Sequence, residues 1–180
     1  MNGSGSNALT YLVGTLIDLY IAAVLLRLLL QWVRADFYNP VCQFLVKVTN
    51  PVIVPLRRII PSIGRLDTAS VVLMLVLEFA SVWIASRISS SPLAADQILV
   101  FSAVKLAATL LMTYFFLIIA SVILSWIGAQ MRHPVLPLVY QLTEPVLRPF
   151  RKIIPPIAGI DLSPLFALIA IRFLLLLIGW

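Results

Sequence analysis

Between Leu9 and Val33 only Asp18 and Arg27 carry charge. As a helix these 25 residues cover about 37 Å, enough to cross about 30 Å of hydrocarbon with some tilt. Apolar runs recur at about 69–85, 103–127 and 164–180. With 62% hydrophobic and 11% charged residues, the chain falls well short of the roughly 25% charge that solvates an ordinary soluble domain. The class it predicts is an all-α membrane protein with four transmembrane helices.

The segments between the runs are duplicated. Thr49 to Asp67 reads T-N-P-V-I-V-P-L-R-R-I-I-P-S-I-G-R-L-D, and Thr143 to Asp161 reads T-E-P-V-L-R-P-F-R-K-I-I-P-P-I-A-G-I-D. The copies lie 94 residues apart and agree without a gap at ten of 19 positions, among them Pro51, Pro55, Arg57, Pro61 and Asp67. The second copy carries these as Pro145, Pro149, Arg151, Pro155 and Asp161. The register extends outward, since Tyr20 matches Tyr114, Trp32 matches Trp126 and Pro40 matches Pro134. The division expected is a disordered 1–8, a first repeat over 9–87, a connector over 88–102 and a second repeat over 103–180. Each repeat holds an even number of spans, so the two are parallel, related by an axis along the membrane normal.

Ahead of each motif lies an amphipathic stretch. Asn39-Pro40 reads as a helix cap followed by proline at the first helical position, and Val41, Phe44, Leu45 and Val48 then form a stripe. His133-Pro134 opens the second stretch, with Val135, Leu138, Val139 and Leu142 in the stripe. Each predicts a short interfacial helix of about ten residues, too short to span. The prolines that follow are expected to break it into a Pro-rich basic turn, with a short helical turn starting at Pro55 and stopping before Pro61. Asp67 and Asp161 read as caps of the next span or partners of a nearby arginine.

The net charge is +6. The basic residues lie between apolar runs, which argues against nucleic acid and for a membrane face. Arg34, Lys47, Arg57, Arg58, Arg65, Arg132, Arg148, Arg151 and Lys152 all follow the first or third span. The positive-inside rule puts those loops in the cytoplasm and both termini outside. Arg57, Arg58, Arg151 and Lys152 read first as topology signals, with anionic lipid head groups or a cytosolic partner as further contacts. Cys42 and His133 are single, so neither an intrachain disulfide nor a Cys/His zinc site is expected. No cofactor or catalytic constellation is expected either. Cys42 reads as an apolar filler and His133 as a cap. The N-terminus lacks the basic region of a cleavable signal, and the first run reads as a retained span.

Charges inside spans are costly and are functional candidates by default. Asp18, Glu78 and Arg172 are the candidates of this kind. Glu78 and Arg172 are equivalent positions of opposite charge, and an ion pair between the repeats is expected, with a proton or ion relay including Asp18 as the alternative. Arg27, about 9 Å from the end of its span, is expected to reach lipid phosphate. Lys105, near the outer end of the third span, is expected to snorkel.

Two spans flanking a duplicated T-x-P-V-x-x-P-[LF]-R-[RK]-I-I-P loop resemble the YggT family of bacterial inner-membrane proteins, whose relatives include the YlmG proteins. The resemblance covers the chain from about Leu9 onward. It implies a multi-pass inner-membrane protein linked to osmotic-stress tolerance and cation homeostasis, with relatives linked to division and membrane-complex assembly. It carries no catalytic site. The function expected is a non-enzymatic scaffold or regulator, touching anionic lipid, a second copy of itself, or a membrane or division-complex protein. The competing reading is an oligomeric cation channel or transporter using Asp18 and Glu78.

Overall fold

The computed structural model describes residues 3–64, 66–88, 92–127, 133–155 and 161–180, with side chains from residue 8 onward. Six helices follow in order: α1 (Gly3–Trp32), α2 (Pro40–Ile59), α3 (Thr68–Ile88), α4 (Ala95–Ile127), α5 (Val135–Ile153) and α6 (Ser163–Leu177). No strand is present among the described residues beyond an isolated bridge between Ile63 and Leu66. The bridge turns at Gly64, whose φ of 61° lies in the left-handed region that glycine enters without a Cβ clash.

Among the described residues, three helices are long and apolar enough to cross a membrane: Ala8–Trp32 within α1, α3 and α4. The chain is therefore a membrane protein. α6 is apolar but has 15 residues, about 22 Å of helix against roughly 30 Å of hydrocarbon. The sequence of long helix, amphipathic helix and apolar helix occurs twice, and the ends of α2 and α5 differ by the same 94 residues as the motifs.

Four boundaries differ from expectation. α1 starts at Gly3, so residues 3–8 continue the helix instead of forming a disordered tail. Extending an existing helix avoids the cost of nucleating one. α4 starts at Ala95, well before residue 103. The connector ahead of it is tied down: Leu93 N donates to the buried Ser86 Oγ, and Ala94 N donates to Gln97 Oε1 as in half of a capping box.

The third and fourth differences are in the amphipathic helices. α2 runs unbroken through Pro51 and Pro55, and α5 through Pro145 and Pro149. Each proline deprives only the carbonyl four residues back. With prolines four apart, the lost bonds fall on one strip, and Lys47, Pro51 and Pro55 on that strip are all exposed. The opposite strip of Cys42, Leu45, Thr49 and Ile53 is buried throughout, so packing carries the helix through both prolines. The chain does stop at Ile59, ahead of Pro61, as expected. The stripe itself is rotated in α2, where Phe44 is 64% exposed and Thr49 is buried. In α5 it lies where expected, with Leu138, Val139 and Leu142 buried.

The caps match the sequence. Asn39 Oδ1 accepts the Val41 amide at 3.0 Å, and His133 Nδ1 accepts the Val135 amide at 3.3 Å. Asn39 Nδ2 also donates to the Pro134 carbonyl at 2.6 Å. Cys42 is fully buried, and burial pushes its thiol up, which suits a filler and not a nucleophile.

Two compact units are separable. The first holds residues 1–28 and 45–107, and the second holds 29–44 and 108–180. The first has a core of Ile21, Val24 and Leu25 from α1, Ile53 from α2, and Ala69, Leu73 and Met74 from α3. In the second, α5 packs on α6, with Ile118, Leu138, Leu142, Ala167 and Ile171 inside. Large apolar side chains that face outward, such as Leu12, Leu16 and Leu19 on α1, suit a hydrocarbon surrounding.

Candidate functional site

The duplicated motif builds one device twice. In the first copy, Arg57 at the end of α2 forks onto Asp67, which precedes α3. Nη2 meets Oδ2 at 2.6 Å, and Nε lies 3.2 Å from each carboxylate oxygen. Asp67 is 1% exposed, and its Oδ2 also accepts the Ser70 hydroxyl. Thr68 Oγ1 ties back to the Pro61 carbonyl, closing the arch. Burial pushes the Asp67 carboxyl up, but the hydrogen bonds from Arg57 and Ser70 outweigh it and hold it below the usual carboxylate range.

In the second copy, Arg151 Nε donates to Asp161 Oδ2 at 2.8 Å, and Asp161 Oδ1 accepts the Ser163 amide at the start of α6. Arg151 Nη1 also reaches Glu144 Oε2 at 2.5 Å. Burial raises the Asp161 carboxyl, while hydrogen bonds from Ser163 and Arg151 hold it below its ordinary value. Both aspartates are thus arginine partners and helix-start caps at once. The spacing of ten residues between arginine and aspartate is the same in both copies.

Arg57 and Arg151 are engaged in this way, whereas the next residues face outward. Arg58 and Lys152 are exposed, and beside them Ile59 is 79% and Ile153 78% exposed. Pro51, Pro55, Pro61, Pro145, Pro149 and Pro155 lie along the same exposed arches. Arg65 and Arg132 of the expected loop cations lie outside the described residues.

Inside the first unit is a charge cluster centred on a residue expected only to snorkel. Lys105 Nζ on α4 lies 2.6 Å from Asp18 Oδ1 on α1 and 2.9 Å from Glu78 Oε2 on α3. It also donates to Ser81 Oγ at 3.1 Å. The Glu78 side chain is 1% exposed and that of Asp18 49%. Lys105 bridges Asp18 and Glu78, two of the charges singled out from the sequence. Arg172 is exposed on α6, with no ion pair among the described residues.

Arg27 is a further correction. It is 5% exposed and donates from Nη1 to Thr49 Oγ1 at 2.6 Å, so it turns inward to α2 and not out to lipid phosphate. Thr49 Oγ1 in turn donates to the Leu45 carbonyl at 2.6 Å. Arg27 is also within electrostatic reach of Asp67, Arg57 and Tyr20.

A profile of the CCB3/YggT family matches residues 6–88 and 100–180. The chain belongs to this family. The two matched segments begin 94 residues apart, at the offset of the motifs. An uncharacterized YggT protein of Escherichia coli K12 is 38% identical over 159 residues, 88% of this chain and 82% of its own length. An uncharacterized protein of Pseudomonas aeruginosa is 41% identical over 175 residues, covering 96% of this chain and 89% of the relative. A third, from the proC 3' region of Vibrio alginolyticus, is 44% identical over 178 residues, with 96% and 94% covered. No solved structure matches the chain. For a CCB3/YggT chain, the two Arg–Asp arches and the Asp18–Lys105–Glu78 cluster are the features with chemistry to offer.

Proposed function

We propose that the chain is a non-enzymatic protein of the bacterial inner membrane, a scaffold or regulator of membrane complexes that supports osmotic-stress tolerance and ion homeostasis. The observation that carries this reading is the repeated outward pair. Arg58 beside Ile59 and Lys152 beside Ile153 expose a cation next to a large apolar side chain at the end of an amphipathic helix. That combination suits the level of anionic lipid head groups, where each cation contributes roughly 1 kcal/mol. Here α1, α3, α4 and α6 are four spans in two parallel repeats. α6 spans by local thinning of the bilayer, the basic arches are cytoplasmic and both termini are outside. Besides lipid, the arches meet a second copy or a membrane or division-complex protein.

The test is complementation. In a strain lacking the protein, Arg58→Glu/Lys152→Glu is expected to abolish growth under hyperosmotic stress at normal membrane abundance, while Glu78→Gln retains it. The opposite pattern sinks the scaffold reading. It supports a second reading, an oligomeric cation path through Asp18 and Glu78, favoured by the burial of Glu78 within a span. Ion flux in proteoliposomes, lost in Asp18→Asn, is that reading's own requirement.

A further inference from the structure

Charge in the apolar helices is out of balance in each unit. In the first, Asp18 and Glu78 face a single Lys105, a formal charge of −1. Asp18 is half-exposed, and its Oδ2 accepts no hydrogen bond among the described residues. In the second, Arg172 is exposed on α6 and carries +1, with no ion pair among the described residues. The carboxylates of that unit stand elsewhere. Glu144 and Asp161 are held by Arg151 at the arch, and Asp36 accepts the Tyr38 amide past the end of α1. An unpaired charge within a span is costly, and these two imbalances cancel.

The two charges also share a level. Glu78 follows the arch aspartate Asp67 by 11 residues, and Arg172 follows Asp161 by 11, about 16 Å of helix in each case. Arg172 is thus level with Glu78, given the proposed placement of both arches at one membrane face, on which this inference rests. Asp18 holds the same Lys105 as Glu78 and stands at that level too.

The faces around the charges suit a helix–helix contact. On α6, Leu165, Ile169, Arg172 and Leu176 recur at helical spacing and are all exposed. On α1, Tyr11, Thr15 and Asp18 do the same. Gly14 lies one turn from Asp18, and a Cβ there would meet nothing within 4 Å, so a neighbouring backbone can come close.

We propose that two copies of this chain associate within the membrane, Arg172 of each seated against Asp18 of the other. Under two-fold symmetry the contact forms twice, and each −1 cluster receives a cation from the other copy. Lipid phosphate is a poorer match for Arg172. Side chains on a helix lean toward its N-terminus, which for α6 is the arch end, and Ser163 is about 14 Å of helix away. Phosphate also leaves the cluster around Asp18 uncompensated. At 15 residues, α6 is short for a span, and oligomerisation relieves such a mismatch. This contact is separate from any that the arches make.

The experiment measures energy transfer between separately labelled full chains in phosphatidylethanolamine–phosphatidylglycerol vesicles. The wild type is expected to self-associate. Arg172→Asp sets like charges together and is expected to weaken association about tenfold or more, as is Asp18→Arg. Mixing these two variants is expected to restore association, because each then meets its complement twice. If Asp18→Arg does not fold beside Lys105, Asp18→Asn replaces it and should weaken association several-fold. Unfolding in dilute detergent reports the fold of the single chain and should move little with Arg172→Asp. A monomeric wild type, or association unchanged by Arg172→Asp, overturns the proposal and makes lipid the partner of Arg172. So does restoration only when Asp18→Arg and Arg172→Asp are in one chain, which puts the pair within the chain. An impermeant maleimide on Arg58→Cys and Lys152→Cys tests the placement of the arches, Cys42 being buried. Labelling from opposite sides overturns that placement and the proposal together. Labelling from one side without association overturns the proposal alone.

Discussion

Arg57 and Arg151 stand at the same place in two copies of one motif, and their surroundings are unlike. Arg57 meets one carboxylate that is 1% exposed, while Arg151 is shared between two that are 40% and 53% exposed. The first unit also holds the buried Arg27 and an Asp18–Lys105–Glu78 cluster in which Glu78 is buried and Asp18 half-exposed. The second has Ser121, Met112 and the exposed Arg172 in register with Arg27, Asp18 and Glu78. Duplication kept what shapes the backbone: the prolines, the caps and the Arg–Asp tie. It did not keep the charges within the apolar helices. The first unit is thus built around ion pairs it must not lose, and the second around an apolar core.

The sharpest test of that contrast is Lys105→Met. It leaves the buried Glu78 without its cation, and breaking a buried pair by removing one partner costs about 3–5 kcal/mol. Adding Asp18→Asn and Glu78→Gln should restore most of the loss. Arg172→Met in the second unit should change little. Thermal unfolding in detergent measures all three, and equal losses for Lys105→Met and Arg172→Met would break the contrast.

A smaller effect separates the arches. Arg57→Gln removes charge-assisted hydrogen bonds from a buried carboxylate and should cost about 1.5–3 kcal/mol. Arg151→Gln acts on partly exposed partners and should cost about 0–1 kcal/mol. If the two substitutions cost the same, the difference in burial carries no energetic weight.

How far these features could be read beforehand depends on their range along the chain. The caps at Asn39 and His133 and the Arg–Asp ties involve residues two and ten apart, and local pattern rules reached them. The helix order and the 94-residue offset followed from self-similarity. Lys105 is 87 residues from Asp18. No register rule links them, so its place at the centre of the cluster was hidden. The run of α2 through Pro51 and Pro55 was hidden for another reason. The proline rule is local, but whether a lost hydrogen bond is costly depends on the face it falls on.

Acid should distinguish the arches next. Asp67 and Asp161 both have folded values below the unfolded carboxylate range. Each tie therefore contributes stability that is complete above that range and is lost as pH falls through the folded value. The fall should be steeper for the buried Asp67. In unfolding midpoints measured from neutral pH downward, Arg57→Gln should flatten the acid limb more than Arg151→Gln does. A larger flattening from Arg151→Gln would reverse the assignment.

The smallest effect compares two helix ends within the second unit. α1 closes with Ala35 N on the Leu30 carbonyl and Arg34 N on that of Gln31. α6 closes identically, with Trp180 N on Leu175 and Gly179 N on Leu176. The residue in the left-handed region is Gly179 at φ 79° in α6 but Arg34 at φ 57° in α1. A side chain there costs roughly 1–2 kcal/mol. Arg34→Gly relieves that strain but frees the unfolded chain, so the net gain should be only a few tenths of a kcal/mol. Gly179→Ala has no such offset in the folded state and should destabilise by about 1 kcal/mol, although no neighbour lies within 4 Å of an added Cβ. The loss would then come from backbone conformation alone. If Gly179→Ala is neutral, the end of α6 has shed the left-handed turn, and the two helix ends are not the same device.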